Sequence, residues 1–305
     1  MDLLTLLMTV AALCLFEIIT SIDNAVINAE VLSGMSPRGR RWFLLWGFLF
    51  AVVVVRGLLP LIIIWFANPG QGIMEILTMT FSGGDTARLA VEESAPILLS
   101  GGGTFLIFLF MSWLFLEPKN YGLRGESFFK RQGAWFFALI SVILAVIVWL
   151  SLKINPLMAF GAVVGSTGFF IIHGFKEYAE QKERELMKSN VSDVSKIAYL
   201  EVLDTSFSID GIIGAFAFTF SVPLIFIGNG LGAFILRRLT VSNIERIKKY
   251  KYLKNGAMYS IFFLGTIMVL DAFGLHIPEL LSPIITFMIV GYFFYLSKKE
   301  IAKNG

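Results

Sequence analysis

The sequence predicts an all-α protein that crosses a lipid bilayer about nine times, and three observations carry that prediction. Of 305 residues, 56% are hydrophobic and only 15% are charged, whereas a soluble globule carries about 25% charged residues. Mean hydropathy is +0.77. The cations collect in alternate loops, as they do around membrane helices.

A bilayer core takes roughly 20 apolar residues per helix. On that ruler the spans fall near Leu3–Leu32, Phe43–Phe66, Ile97–Leu116, Ala134–Leu150 and Pro156–His173. A second set follows near Ala198–Phe220, Pro223–Leu236, Gly256–Phe273 and Pro283–Leu296. The first span starts almost at once after Met1-Asp2 with no basic leader, so it is expected to be retained rather than cleaved. The seventh is short and Gly-rich. Between the fifth and sixth, about 174–197, Glu, Lys and Arg alternate at helical spacing and predict a solvated cytosolic connector. The stretch Ala67–Pro96 reads as an external loop with a short surface helix at Ile73–Phe81.

The loops fix the orientation. One side receives Arg38, Arg40 and Arg41, then Lys119, Arg124, Lys130 and Arg131, then five cations from Lys176 to Lys196. It also receives the seven from Arg237 to Lys254, and Lys298, Lys299 and Lys303. Of the 25 Lys and Arg, only Arg88 and Lys153 fall opposite, and Arg56 lies within a span. The N-terminus is therefore expected outside and the C-terminus inside. The net charge of +3 says nothing about nucleic acid, and none is expected as a partner. A single cysteine, Cys14, excludes an internal disulfide and a thiolate metal cage. The two histidines, His173 and His276, leave little material for zinc or copper.

Several carboxylates nevertheless sit inside the apolar runs, where each costs about 2.5–3.5 kcal/mol on insertion scales. The first span reads Glu17-Ile-Ile-Thr20-Ser21-Ile-Asp23-Asn24, with Asn28 a turn further on. The sixth reads Glu201-Val-Leu-Asp204-Thr205-Ser206-Phe-Ser208-Ile-Asp210-Gly211. At about 100° per residue, Glu17, Thr20, Ser21, Asn24 and Asn28 share one stripe, with Asp23 about 120° to its side. Asp204, Ser208 and Asp210 repeat that geometry, flanked by Glu201.

Both segments place two acids six residues apart and end in Ser-Ile-Asp. A second correspondence lies downstream: Gly103 to Glu117 and Ala257 to Asp271 are both 14 residues. Spans 1–3 thus resemble spans 6–8, giving repeat one at about 3–150 and repeat two at about 198–297 of a single transmembrane domain, 1–305. An offset of five helices makes the repeats cross in opposite senses. Inverted repeats whose polar helices meet near the midplane are a secondary-transporter architecture. The paired acids would then form one central site, and carboxylates with Asn, Ser and Thr oxygens suit a hard divalent cation such as Mn²⁺, Mg²⁺ or Ca²⁺. That cation would be cargo rather than cofactor, and no cofactor is expected.

Blander readings compete at each position. A single buried Asp serves equally as a structural hydrogen-bond partner, but a duplicated pair at one spacing argues against it. Arg56 balances an acid more readily than it touches a substrate. Glu117, before Pro118, divides between interfacial and site roles, whereas Asp271 sits deeper by sequence. Glu201 lies near the cytosolic boundary, as an entrance residue would. The Gly161-x3-Gly165 and Gly228-x3-Gly232 spacings predict helix packing, within the chain or in a homo-oligomer. Paired membrane acids also suit an intramembrane hydrolase, but no nucleophile motif accompanies them and no enzyme is expected.

At these residues the sequence resembles the TerC/Alx group of bacterial membrane proteins. Their hallmark is an acid followed by Ser-x-Asp-Asn in the first helix, here Glu17 and Ser21-Ile22-Asp23-Asn24. A similar motif lies in the second half, here Asp204 and Ser208-Ile209-Asp210. The chain looks most like a TerC-like branch long labelled as a domain of unknown function, within the LysE-type transporter superfamily. That resemblance implies Mn²⁺ export, metal ligation by Glu17, Asp23, Asn24, Asp204 and Asp210, and a link to tellurite resistance. It leaves Thr20, Ser21, Asn28, Arg56, Glu117, Glu201, Ser208 and Asp271 as second-sphere or pathway residues. Asp210 is followed by Gly211 where the first motif has Asn24, so the halves do not offer identical ligands. The helix near 156–173 exceeds the group's usual core. The basic loops also admit a membrane scaffold or chaperone in metal or tellurite stress.

Overall fold

The computed structural model describes residues 3–21, 32, 35–67, 70, 72–82, 85–117, 122–123, 125–188, 192–278 and 280–304. Side chains are described for these except at 66–67, 73, 79–82, 85–94, 175–188, 199, 202–203, 206–207, 210, 239–248 and 304. Among the described residues the chain is helical and has no strand. In order it forms α1 (Leu3–Thr20), α2 (Pro37–Trp42), two π-helical segments (Phe43–Gly47 and Phe50–Leu58) and α3 (Leu59–Ala67). Then come α4 (Ile73–Ser82), α5 (Asp85–Leu116), α6 (Glu126–Arg131), α7 (Phe136–Ser151) and α8 (Pro156–Lys188). The last four are α9 (Asp193–Ala215), α10 (Val222–Lys248), α11 (Leu253–Ala272) and α12 (Leu281–Asn304).

Seven stretches of described helix are long and apolar enough to cross a membrane: Leu3–Thr20, Pro37–Trp65, Ala95–Leu116, Gly133–Ser151, Pro156–Gly174, Leu253–Ala272 and Leu281–Lys303. They coincide with seven of the nine predicted spans. The other two, α9 and α10, form long helices but are not among the seven. Charge explains α9, which carries Asp193, Lys196, Glu201, Asp204 and Asp210; in α10 the side chains are described only as far as Arg238, at the end of its apolar part.

Several boundaries differ from the expectation. The first span was expected to reach Leu32; α1 is described to Thr20, and 22–31 lie outside the described residues. The short seventh span becomes a 27-residue helix, because Leu239–Lys248 continues its helical pattern past the apolar part. The connector is no separate element at its start: α8 runs unbroken from Pro156 to Lys188. Pro96 lies inside α5, with the apolar part of that helix after it.

The exposed surface confirms a lipid environment for the bundle. Trp46, Val142 and Trp149 are 56%, 60% and 60% exposed, an arrangement that water would penalise and lipid tails would not. The packed interior centres on α5, which lies against α8 and α11. There the predicted small-residue contact is real: a Cβ placed on Gly161 would lie 2.6 Å from the Ile97 carbonyl oxygen, and Gly165 abuts Gly101. Phe105, Phe108 and Phe169 pack edge-on across the same seam. Around the centre, α1 packs on α10, the second π segment packs on both α9 and α10, and α9 also touches α1 and α5.

Two contacts tie helix ends that carry basic residues. Asp193, at the start of α9, accepts from the Ser36 backbone N–H at 3.3 Å and from the Ser36 hydroxyl, while Ser36 Oγ caps α2 through Gly39 N–H. Arg237 donates to the Phe43 carbonyl at 3.1 Å and lies over the Phe43 ring.

Candidate functional site

The centre of the site is a buried ion pair between α1 and the second π segment. Glu17 has no solvent exposure and Arg56 is 2% exposed. Arg56 donates to Glu17 Oε1 twice, through Nη2 at 2.5 Å and Nε at 3.2 Å. The Ser21 hydroxyl donates to the same oxygen at 3.0 Å. Arg56 Nη1 donates to the Ala51 carbonyl at 3.0 Å and approaches Asp204 Oδ2 of α9 at 3.9 Å. One guanidinium therefore joins the leading acids of the two repeated motifs.

Arg56 stands on a π-helical segment, Phe50–Leu58. A π turn is wider than an α turn and recurs at functional sites. Here the carbonyls of Phe43 and Ala51, both in π segments, each accept from a guanidinium. Hydropathy alone could not foresee it, because a π and an α segment of this composition are equally apolar.

The sixth-span motif faces the first. A Cβ on Gly211 would lie 3.0 Å from Glu17 Oε2 and 3.7 Å from Thr20 Oγ1. Gly211, standing where the first motif has Asn24, thus gives the Glu17 carboxylate its space. Asp204, Ser208 and Gly211 share a helical stripe, so Ser208 lies between the Arg56 contact and the Glu17 contact. Ser208 is 1% exposed, and among the described residues its hydroxyl has no hydrogen-bond partner. Glu17 Oε2 likewise has none. Buried polar atoms in this state are costly in a membrane; Thr9, Ser151, Ser260 and Thr286 hold hydroxyls in the same state elsewhere in the bundle.

The remaining predicted residues divide. Thr20 turns back to its own helix and donates to the Phe16 carbonyl at 2.8 Å. Glu201 fills the space left by Gly47 of the first π segment, and neither of its oxygens has a hydrogen-bond partner among the described residues. Glu117 pairs with Lys254 at 2.7 Å, both partly exposed. Asp271 lies in the last turn of α11 and accepts from Ile277 N–H at 3.4 Å. Lys254 and Asp271 mark opposite ends of α11, so these two acids are not brought together. Asp23, Asn24 and Asn28 lie outside the described residues, as does the side chain of Asp210. Among the described residues no group of three His, Cys, Asp or Glu is placed to hold a metal.

Sequence reasoning missed two polar features. Glu126, in a stretch that reads as a basic loop, is 2% exposed and accepts from Asn255 at 2.9 Å and 3.0 Å and from Tyr259 at 3.1 Å. Asn229, in the first third of α10, has no solvent exposure. Its signal was available: it is a polar residue between Gly228 and Gly232 in an apolar run.

Residues 22–303 match the model of a family described as "Protein of unknown function (DUF475)". No curated protein and no solved structure matches the chain.

Proposed function

The chain belongs to the DUF475 family of proteins of unknown function, and from that premise we propose that it is a secondary-type exporter of divalent metal cations, with Mn²⁺ as cargo. One observation carries the reading. Glu17 and Asp204, the leading acids of two matching motifs, converge on Arg56 in the buried centre of a membrane-embedded bundle. The packing supports inverted repeats of spans 1–3 and 6–8 within nine crossings. α1 packs on α10 as the π-helical span packs on α9, and α1 packs on α11 as α5 packs on α9. Each pair becomes the other when the repeats are exchanged.

In this arrangement Arg56 neutralises Glu17 while the site is without cargo. Glu17, Asp23, Asp204 and Asp210 together outnumber Arg56 and the neighbouring Arg237, which also interacts with Asp204, so the site has a negative excess that a divalent cation offsets. Carboxylate, amide and hydroxyl oxygens are the ligands such a cation takes. Protons returning through the same carboxylates would weaken metal affinity and drive release. The resemblance to the TerC/Alx group supplies the ion and the direction. The segregation of cations supplies the orientation in the bacterial cytoplasmic membrane, N-terminus out and C-terminus in.

The test is Mn²⁺ flux into proteoliposomes, comparing wild type with Asp23→Asn and Asp204→Asn, with Mg²⁺, Ca²⁺ and Zn²⁺ as competitors. Saturable flux lost in both variants, from protein that elutes as a folded species, supports the reading. Full flux in both sinks it. The burial of Arg56 favours one second reading, export of a small solute bearing a carboxylate that takes the place of Glu17. Competition of flux by amino acids but not by metals would select it.

A further inference from the structure

We infer that Asn229 is a ligand of the transported cation, contributed by α10 beside the Glu17–Arg56 pair. This rests on the cation-transport reading and adds a residue from a third helix that neither motif contains. Asn229 has no solvent exposure, and among the described residues neither its Oδ1 nor its Nδ2 has a hydrogen-bond partner. A primary amide offers two donors and two acceptor lone pairs. Leaving all of them unmet in a membrane interior is a cost that packing alone does not require, since Leu is close to Asn in size.

The neighbours of Asn229 fix where it points. A Cβ on Gly228 would lie 2.5 Å from Leu13 Cβ, and one on Gly232 would lie 2.7 Å from both the Cys14 carbonyl oxygen and Glu17 Cβ. That edge of α10 faces α1. One on Gly230 would lie 3.4 Å from Val52, and Phe226 packs on Gly57. That edge faces the π-helical span. Successive residues turn by about 100°, so Asn229 lies midway between the two edges. It projects into the groove between α1 and the π-helical span, which the Glu17–Arg56 pair bridges. Gly232 is level with Glu17, and Asn229 is three residues away, about 4.5 Å along the axis.

Three unmet polar groups thus come from three helices: Glu17 Oε2 of α1, Ser208 Oγ of α9 and the amide of Asn229 of α10. The Asn229 oxygen supplies a neutral, hard ligand of the kind that Mn²⁺, Mg²⁺ and Ca²⁺ accept. Its Nδ2 can donate to a ligating carboxylate and hold its orientation.

The experiment measures Mn²⁺ affinity by titration calorimetry on purified protein, with the thermal midpoint of the metal-free form recorded alongside. Wild type is compared with Asn229→Leu, Asn229→Ala and Asn229→Asp, and with Asp204→Asn as reference. Loss of one oxygen in Asn229→Leu and Asn229→Ala lowers Mn²⁺ affinity roughly 10–100-fold, the size seen for supporting groups at metal sites. Asn229→Asp, which keeps an oxygen, retains binding. The metal-free midpoint of Asn229→Leu stays level or rises, because an unmet amide is removed. A purely structural Asn229 gives the reverse: a lower midpoint and unchanged affinity, which overturns the inference. Asn229→Ala guards against a Leu variant that does not fold. Mn²⁺ binding lost in Asp204→Asn but kept in both apolar Asn229 variants refutes this ligand and leaves the transport reading standing. No Mn²⁺ binding by wild type removes both.

Discussion

Arg56 and Glu17 form a buried, doubly hydrogen-bonded ion pair across two helices, with Nη2 at 2.5 Å and Nε at 3.2 Å from one carboxylate oxygen. The other oxygen is left facing Gly211. One oxygen of the carboxylate therefore ties α1 to the π-helical span, and the other makes no hydrogen bond among the described residues. A lysine could not reproduce this, because a compact ammonium lacks the planar fork that reaches both Glu17 and the Ala51 carbonyl.

Breaking the pair from one side strands a charge. Arg56→Gln leaves Glu17 buried opposite a neutral amide and should cost about 3–5 kcal/mol of stability. Adding Glu17→Gln removes the stranded charge, so the double variant should recover part of that loss. Chemical unfolding in detergent measures both. A double variant that loses the sum of the two single effects would show that the groups do not act as a pair.

Gly211 and Gly232 both press on Glu17 but should respond differently. A methyl at Gly232 meets the Cys14 backbone and the Glu17 Cβ at 2.7 Å, and neither can swing aside. Gly232→Ala should therefore separate α10 from α1 and cost roughly 1–3 kcal/mol. A methyl at Gly211 meets the other carboxylate oxygen at 3.0 Å, a side-chain atom that need give only a few tenths of an ångström. Gly211→Ala should leave the thermal midpoint nearly unchanged while reducing Mn²⁺ flux. Equal loss of stability in the two variants would contradict this geometry.

What the sequence disclosed follows from what a membrane makes expensive. Glu17, Asp204 and Ser208 stood out because carboxylates and hydroxyls at helical spacing are rare in apolar runs. The structure brings Glu17 and Asp204 to one guanidinium and places Ser208 between their contacts. The small-residue spacings at Gly161 and Gly228 were equally legible, since only close helix contact calls for them. The π-helical winding of the second span was not, because its hydropathy is that of an α-helix. Nor was the burial of Glu126, since Lys119 to Arg131 has the charge of a surface loop and only the fold turns one of its acids inward. Asn229 was visible as a residue, but its importance depends on which neighbours fail to meet it.

The Glu126 cluster predicts a local effect on α6 and α11. Its carboxylate accepts from two donors, Asn255 Nδ2 shared between its oxygens and the Tyr259 hydroxyl, and bonds to a charged group are each worth about 1.5–3 kcal/mol. Tyr259→Phe and Asn255→Leu should each cost within that range, since the two Asn255 contacts are one Nδ2 group shared between both carboxylate oxygens. Hydrogen exchange should show the loss at the start of α11 rather than around Glu17. Faster exchange spread evenly through α1 and α9 would mean that the cluster supports the whole bundle.

Glu117 and Asp204 give the sharpest contrast, because both were candidates from sequence and only one lies at the centre. Glu117 meets Lys254 with both side chains partly exposed, 41% and 38% respectively. A surface pair of this kind is worth about 0–1 kcal/mol. Glu117→Gln should change neither the thermal midpoint nor Mn²⁺ flux by a measurable amount. Asp204→Asn, one contact from Arg56, should abolish flux while the protein remains folded. Strong loss of flux in Glu117→Gln would move the pathway to the end of α5, and the matched spacing of Glu117 and Asp271 would then carry function.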